Sequence, residues 1–464
     1  MKTQGGSVAT STYRTIASAC ILMVLISLDH TILNISLPTI QDALTVPTGS
    51  LGWIVVSYSI PFATLMLSGG VLSDRYGPAR VFMCGIAIFG IGSLIGAAAL
   101  GFPHLLLGRV VQGVGAALCM PSALAMLRAS VPPQQLGRAI ALWGFSASVA
   151  ISAGPPLGGA LVQFLTWRSI FVVNIPIVVL AVRLVLPELR KSRPRSSIPN
   201  KTVDTLGQTL YVAASGLLIG GLILLRDRVD TARWQIPVIL LALSAGGLVA
   251  FFLHERRTVN PVLPASLMEN RAFQSAVIVG GSISLVNFGL VYCLGLYYGG
   301  DQGFTALRSG VLFLPMMVAC GVAAVVVERT RRAMGDRMTV TAGLAAQLAG
   351  AIMICIQPDH VGWVSVNAAF LGFGVGLALA PITAGLLGAV DAKVAGVASG
   401  ALSSVRQLCS ALGVAVLGLM VQGANTSVQV DLRPISAVCA LALVIALATY
   451  LATSKLTSVP DRAA

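Results

Sequence analysis

A single carboxylate supplies the first chemical clue. Asp29 lies in the run Leu28-Asp29-His30-Thr31-Ile32-Leu33-Asn34-Ile35-Ser36-Leu37-Pro38, inside an apolar stretch long enough to cross a bilayer. A charge there is costly and marks a partner or a function. Asp29 is the one acidic residue well inside any apolar segment. If this chain moves protons, this carboxylate is where they bind. Two arginines, Arg109 and Arg406, also fall deep in apolar segments, and each needs an anionic or carbonyl partner. A third, Arg183, sits near a segment end, where a long side chain snorkels to the interface.

The elements that hold these residues follow from composition. Of the 464 residues, 56% are hydrophobic and 10% charged, against about 25% charged in soluble domains. Mean hydropathy is +0.88, and apolar runs of about 20 residues recur end to end, the length of a bilayer-crossing helix. With almost no alternating pattern, the chain is expected to be an all-α polytopic membrane protein rather than a barrel. The first run exceeds signal-peptide length without a small-residue cleavage site and reads as a retained helix. The eight cysteines all fall in apolar segments without metal-ligand spacing; they read as small core residues. None of the five lysines follows a glycine, so no Gly-Lys-Ser/Thr phosphate loop is present. No enzyme activity, cofactor or metal is expected.

Fourteen spans are expected, near 14–37, 51–72, 79–100, 104–127, 138–163, 168–187, 205–225, 234–253, 272–297, 307–327, 338–357, 361–385, 396–420 and 434–454. With the N-terminus in the cytoplasm, 21 of the 30 basic residues fall in inner loops and termini, 6 in outer loops and 3 within spans. That bias supports the orientation, an even span count and both termini in the cytoplasm. It also explains the net charge of +14 without nucleic acid. A linker near 188–204 and a basic connector near 254–271 divide the spans six, two, six. The expected domains are 1–187, a six-helix bundle; 188–257, a linker with two extra spans; and 258–464, a second six-helix bundle. Two six-helix halves place a transport site between them.

Depth predicts one contact. Asp29 lies fifteen residues into span one, about 22 Å from the inner side at 1.5 Å per residue. Arg109 lies six residues past Pro103, roughly 9 Å from the outer side. In a core of about 30 Å these depths coincide, so the two are expected to be neighbours or water-linked. Either the pair permanently fixes two helices, or the proton on Asp29 competes with Arg109 or with substrate.

Several motifs extend this. Gly69-Gly70-Val71-Leu72-Ser73-Asp74-Arg75-Tyr76-Gly77-Pro78-Ala79-Arg80 bridges spans two and three, and Arg109-x-x-Gln112-Gly113-x-Gly115-Ala116 lies in span four. These resemble signatures of the major facilitator superfamily. The resemblance implies that Gly70, Asp74, Arg75, Gly77 and Arg80 form a latch of the outward-open state. Pro78-Ala79 depart from the family's basic residues there. Gly154-Pro155-x-x-Gly158-Gly159, late in span five, resembles the signature of the antiporters, and implies a bend that seals the outer end of the interface between halves. The Asp29 run and Ser399-Gly400 through Arg406-Gln407 resemble the fourteen-helix drug:proton antiporter branch, with Cys409 in place of a glycine. For Arg406, an inter-half lock and an anion contact both remain open. Glu328–Arg337 lies where the second half should repeat the latch, and its spacing reads as a solvated basic loop.

Residues placed for a central cavity are Asn34, Tyr58, Gln112, Asn287, Tyr292, Asn367 and Arg406, with Trp53, Phe288, Tyr297, Phe370 and Phe373 as further aromatics; belt positions compete for each aromatic. Gln347 is a further intramembrane amide, and helix–helix contact competes with ligand binding for it, Asn287 and Asn367. His30 beside Asp29 would relay protons only if it faced the same way, and one helical step turns it aside. The leading expectation is a proton-coupled antiporter, most simply a monomer in the cell membrane, exporting amphiphilic small molecules such as drugs or antibiotics. Uptake symport and a non-transporting sensor or scaffold are its rivals. With one intramembrane acid, neutral, monocationic or weakly acidic substrates are expected before dications.

Overall fold

The structure, a computed structural model, describes residues 2–191, 204–226, 235–258, 265–390, 395–422 and 428–454. Its elements in order are α1 (Lys2–Leu44), α2 (Leu51–Tyr76), α3 (Pro78–Ala97), α4 (Phe102–Ser130), α5 (Pro133–Phe164), the one-turn α6 (Ser169–Val172) and α7 (Asn174–Lys191). Then come α8 (Thr205–Arg226), α9 (Gln235–Glu255), the short α10 (Ala265–Met268), α11 (Arg271–Leu296), α12 (Ala306–Leu312), α13 (Leu314–Ile356), α14 (Val361–Ala389), α15 (Ala395–Gly418) and α16 (Leu432–Ser454). A two-residue antiparallel ladder pairs Val421 with Val430 and Gln422 with Gln429 between α15 and α16.

All fourteen apolar segments fold as helix. Twelve correspond to one long helix each, and α12 with the 43-residue α13 supplies the other two. α13 turns back on itself at Gly335, whose φ of 79° breaks the helix. Gly77 holds the matching place between α2 and α3 with φ 92°. Both positions need a residue without a Cβ, so the loop read as merely solvated has the turn geometry of the first half's latch loop. Glu328 there pairs with Arg331 and Arg332, both at 3.0 Å. α5 bends by 40° between Arg138–Ile151 and Ala153–Phe164, where Pro155 and Pro156 remove two backbone donors.

Several helices outrun their expected spans, α1 and α7 among them. α1 continues through Pro38 to Leu44 rather than ending at 37, and stops at Thr45, with φ 51°. The Pro38 ring packs on Gly299, whose missing side chain leaves room for it. α7 runs on to Lys191, so the expected linker begins four residues late; residues 192–203 of it lie outside the described chain.

The basic loops, with Arg75, Arg80, Arg331 and Arg332, mark one face, called the basic face; the other is the far face. One apolar core joins the far ends of α1 and α2, with Leu33, Leu37 and Leu51, to α11 and the rest of the C-terminal helices. A second core nearer the basic face, with Leu22, Phe62, Phe82 and Leu127, holds N-terminal residues alone. The extra helix α8 packs against both α2 and α15. The Gln208 amide donates to the Thr64 carbonyl, and the Tyr211 hydroxyl lies 3.3 Å from Ser404 Oγ. α8 thus rests on the seam between the halves.

Candidate functional site

Asp29 is 2% exposed and Arg109 is fully buried. Arg109 Nη1 donates to Asp29 Oδ2 at 2.6 Å and to Gln112 Oε1 at 2.8 Å. Gln112 Nε2 and Asn174 Nδ2 donate to Asp29 Oδ1 at 3.0 and 2.8 Å. Behind them, Ser93 Oγ accepts from Gln112 at 2.9 Å and from Asn174 at 3.4 Å. Arg109 Nε reaches the Ile54 carbonyl at 3.2 Å, and the guanidinium carbon stands 4.5 Å over the Tyr58 ring. The carboxylate therefore accepts three N–H bonds, as an ionised acid can, and the one from Arg109 also pairs opposite charges. A proton on Asp29 would turn one acceptor site into a donor facing donors.

Every group in this cluster comes from α1, α2, α3, α4 or α7, all in the first half. Gln112, expected to line the central cavity, is fully enclosed in the cluster instead, because it stands one turn from Arg109 on the same face of α4. Asn174 and Ser93 were missed. The same depth count finds both: Asn174 lies six residues past Arg168, about 9 Å from the far side, and Ser93 fourteen past Ala79, about 21 Å from the basic side.

The next residues of α1 face elsewhere. A Cβ on Gly154 would overlap Thr31, and one on Gly158 would lie 2.6 Å from Ile32 Cγ1. A Cβ on Gly159 would collide with the backbone of Ala306 and Leu307 in α12, and one on Gly310 with the Pro155 backbone. The glycines of Gly154-Pro155-x-x-Gly158-Gly159 thus let α5 touch α1 on one side and the second half on the other. His30 is also turned from Asp29, but toward the seam. It stacks on Phe288 of α11 at 4.4 Å between ring centroids and lies 5.7 Å from Tyr58.

At the basic face α2 and α15 stay in contact at Ala63–Ser404 and Leu67–Gly400. Beyond them Asp74, Arg75 and Arg80 are exposed, and Gly70 and Gly77 are half-buried. Asp74 and Arg80 make no hydrogen bond or ion pair with any described residue, and Arg75 leans on the Tyr76 ring. At the far face, by contrast, α5 meets α12 and α1 meets α11 backbone to backbone.

The other candidates disperse. Asn34 is buried against Gly295 of α11, with Nδ2 on the His30 carbonyl at 3.2 Å. Tyr292 lies against Gly52 and Gly418, where α11, α2 and α15 converge. Asn287 is half-buried on α11. Asn367 bonds the Trp363 carbonyl of its own helix at 2.9 Å and packs on Gly350 within the second half. Trp53 packs on Gly220 of α8, and Phe370 is 43% exposed on the outer surface. Arg406 lies along Gly280 of α11.

A family model described as Major Facilitator Superfamily matches residues 19–414. The chain is 32% identical over 428 residues to a methylenomycin A resistance protein of Bacillus subtilis, covering 90% of both. It is 32% identical to the multidrug resistance protein Stp of Mycobacterium tuberculosis over 85% of this chain and 73% of that one. It is 31% identical to the puromycin resistance protein pur8 of Streptomyces alboniger over 88% and 81%. Among solved structures, an inward-facing bacterial homolog of the human lysosomal transporter Spinster superposes with TM-score 0.65 at 14% identity, over 96% and 97% of the two chains. The POT family transporter PepTSo gives 0.67 at 14%, over 97% and 99%. At such identities these structures share the fold alone.

Proposed function

The chain belongs to the major facilitator superfamily, a multi-pass membrane transporter and not an enzyme, and we propose that it exports amphiphilic small molecules in exchange for protons. The observation that carries this reading is the place of Asp29 on α1. On one side its carboxylate is held by Arg109, Gln112 and Asn174. Two and three residues on, Thr31 and Ile32 are pressed by Gly154 and Gly158 of α5, and the adjacent Gly159 touches α12. A change in charge at Asp29 therefore acts on the helix that closes the far face.

In this reading the basic face is cytoplasmic. The halves are residues 1–187 and 258–464, and of the two extra spans within 188–257, α8 braces their seam with α9 packed against it. Protonation of Asp29 weakens its hold on Arg109 and frees α1 to shift against α5. The alternation exposes the path first to one face and then to the other. Asp74, Arg75 and Arg80 engage when the far face opens. The resistance names of the relatives support a drug or antibiotic as cargo, and the Gly-Pro motif in α5 supports export over uptake. The transporter acts as a monomer, with protons and lipid as its other partners and no nucleic acid.

The test is a resistance panel in a pump-deficient host comparing wild type with Asp29→Asn, paired with dye efflux with and without a protonophore. Efflux that ignores the protonophore, or resistance that survives Asp29→Asn, overturns proton coupling.

A further inference from the structure

We infer that Arg406 holds the negatively charged group of the substrate, so that the preferred cargo is an amphiphile with a carboxylate or similar single acid; this rests on the exporter reading above. A guanidinium at mid-membrane demands a counter-charge. The chain has 16 acidic residues. All but Asp29 lie at span ends or in loops, and Asp29 is taken by Arg109. Arg406 makes no ion pair or hydrogen bond with any described residue, and its Nε is buried without an acceptor. The protein supplies this cation and withholds its partner.

Its direction follows from the packing of α15. Leu402, Cys409 and Gly413 face α11, against Gly280, Gly281 and Leu285. Gly400, Ser404 and Gln407 face α2, against Leu67, Ala63 and Ser59. At about 100° per residue, Arg406 and Ser410 fall between these two stripes. Ser404 is also reached by Tyr211 of α8, which occupies the outer side of the helix. The face with Arg406 is therefore the inner one, turned to the gap between the halves. Ser410 Oγ, one turn on, is likewise buried without a partner.

The gap has an aromatic roof. Phe288, stacked on His30 beside Tyr58, stands eight residues beyond Gly280 on α11, about 12 Å toward the far face. A ligand with an aromatic or apolar body and an acid about 12 Å away satisfies both ends. A cationic ligand would meet Arg406 as a like charge.

The experiment uses the full chain in nanodiscs, with dansylglycine and its methyl ester as probes, read by dansyl fluorescence and by thermal stabilisation. Wild type is expected to bind the acid at least tenfold more tightly than the ester. Arg406→Gln should abolish that preference while leaving ester binding within twofold, and Arg406→Lys should keep part of it. Equal binding of acid and ester by wild type overturns the inference, and this needs no variant to fold. So does an Arg406→Gln loss shared equally by both probes, the mark of an inter-half lock. Energised everted vesicles separate the two readings. Preference for the acid without protonophore-sensitive accumulation of either probe leaves the anion site standing and sinks export. Accumulation of the ester or of a cationic dye without preference for the acid does the reverse.

Discussion

Thr31 and Gly154 meet so closely that a methyl group on Gly154 would overlap the threonine side chain, and this contact lies two residues from the buried carboxylate of Asp29. One turn of α1 therefore touches both the charge cluster of the first half and the helix that seals the two halves. A helix transmits a small rotation or shift along its length because its backbone bonds hold it rigid. Coupling between proton and gate needs only that turn to have two resting positions.

Asp29→Asn is nearly the same shape and removes the charge. We expect it to fold, to bind substrate and to lose export, with resistance falling at least tenfold toward that of the empty host. Membrane expression and the minimum inhibitory concentration measured side by side check this. Unchanged resistance at equal expression contradicts it.

Arg109→Ala leaves Asp29 as an uncompensated buried charge, and losing one partner of such a pair costs about 3–5 kcal/mol. The expected result is a clear drop in melting temperature in detergent. Asp29→Asn together with Arg109→Gln should recover part of the stability but none of the export. A double variant no more stable than Arg109→Ala argues against the pair as the source of the loss.

Asn174 is absent from the residues expected at the site, yet it donates to Asp29 at 2.8 Å. Removing a hydrogen bond to a charged group costs about 1.5–3 kcal/mol, so Asn174→Ala should lower stability measurably and reduce transport. Asn174→Asp puts a second carboxylate against the first and should be worse on both counts. Equal melting temperatures for Asn174→Ala and wild type would remove Asn174 from the cluster's function.

Gly154→Val forces α5 from α1. We expect faster labelling of Leu307→Cys by a membrane-impermeant maleimide added from the far face, by several-fold, with Gly154→Ala in between. Labelling that does not change means the seal does not depend on this contact.

Asp74→Asn and Arg75→Ala alter groups that are exposed in this conformation. Surface changes of this kind stay within about 0.5 kcal/mol. Stability should barely move, while export falls several-fold if the latch engages in the opposite state. A large drop in melting temperature would show that these residues already bear on the sealed conformation.

Much was legible in the sequence because a bilayer imposes one-dimensional rules. Apolar length sets the spans, basic residues mark one face, and a buried charge declares itself by its cost. The rise of a helix then turns residue number into depth, and depth alone places Asp29 level with Arg109. Rotation about the helix axis was not fixed by those rules. That His30 stacks on Phe288 across the seam depends on how α1 sits against α11. Gln112 was assigned to a cavity and lies inside the charge cluster, and Asn174 joined that cluster unannounced. Depth is a sum along one chain, so the sequence determines it; which side chains share a depth and also share a face is settled only when fourteen helices pack, and that was decided by the tertiary structure.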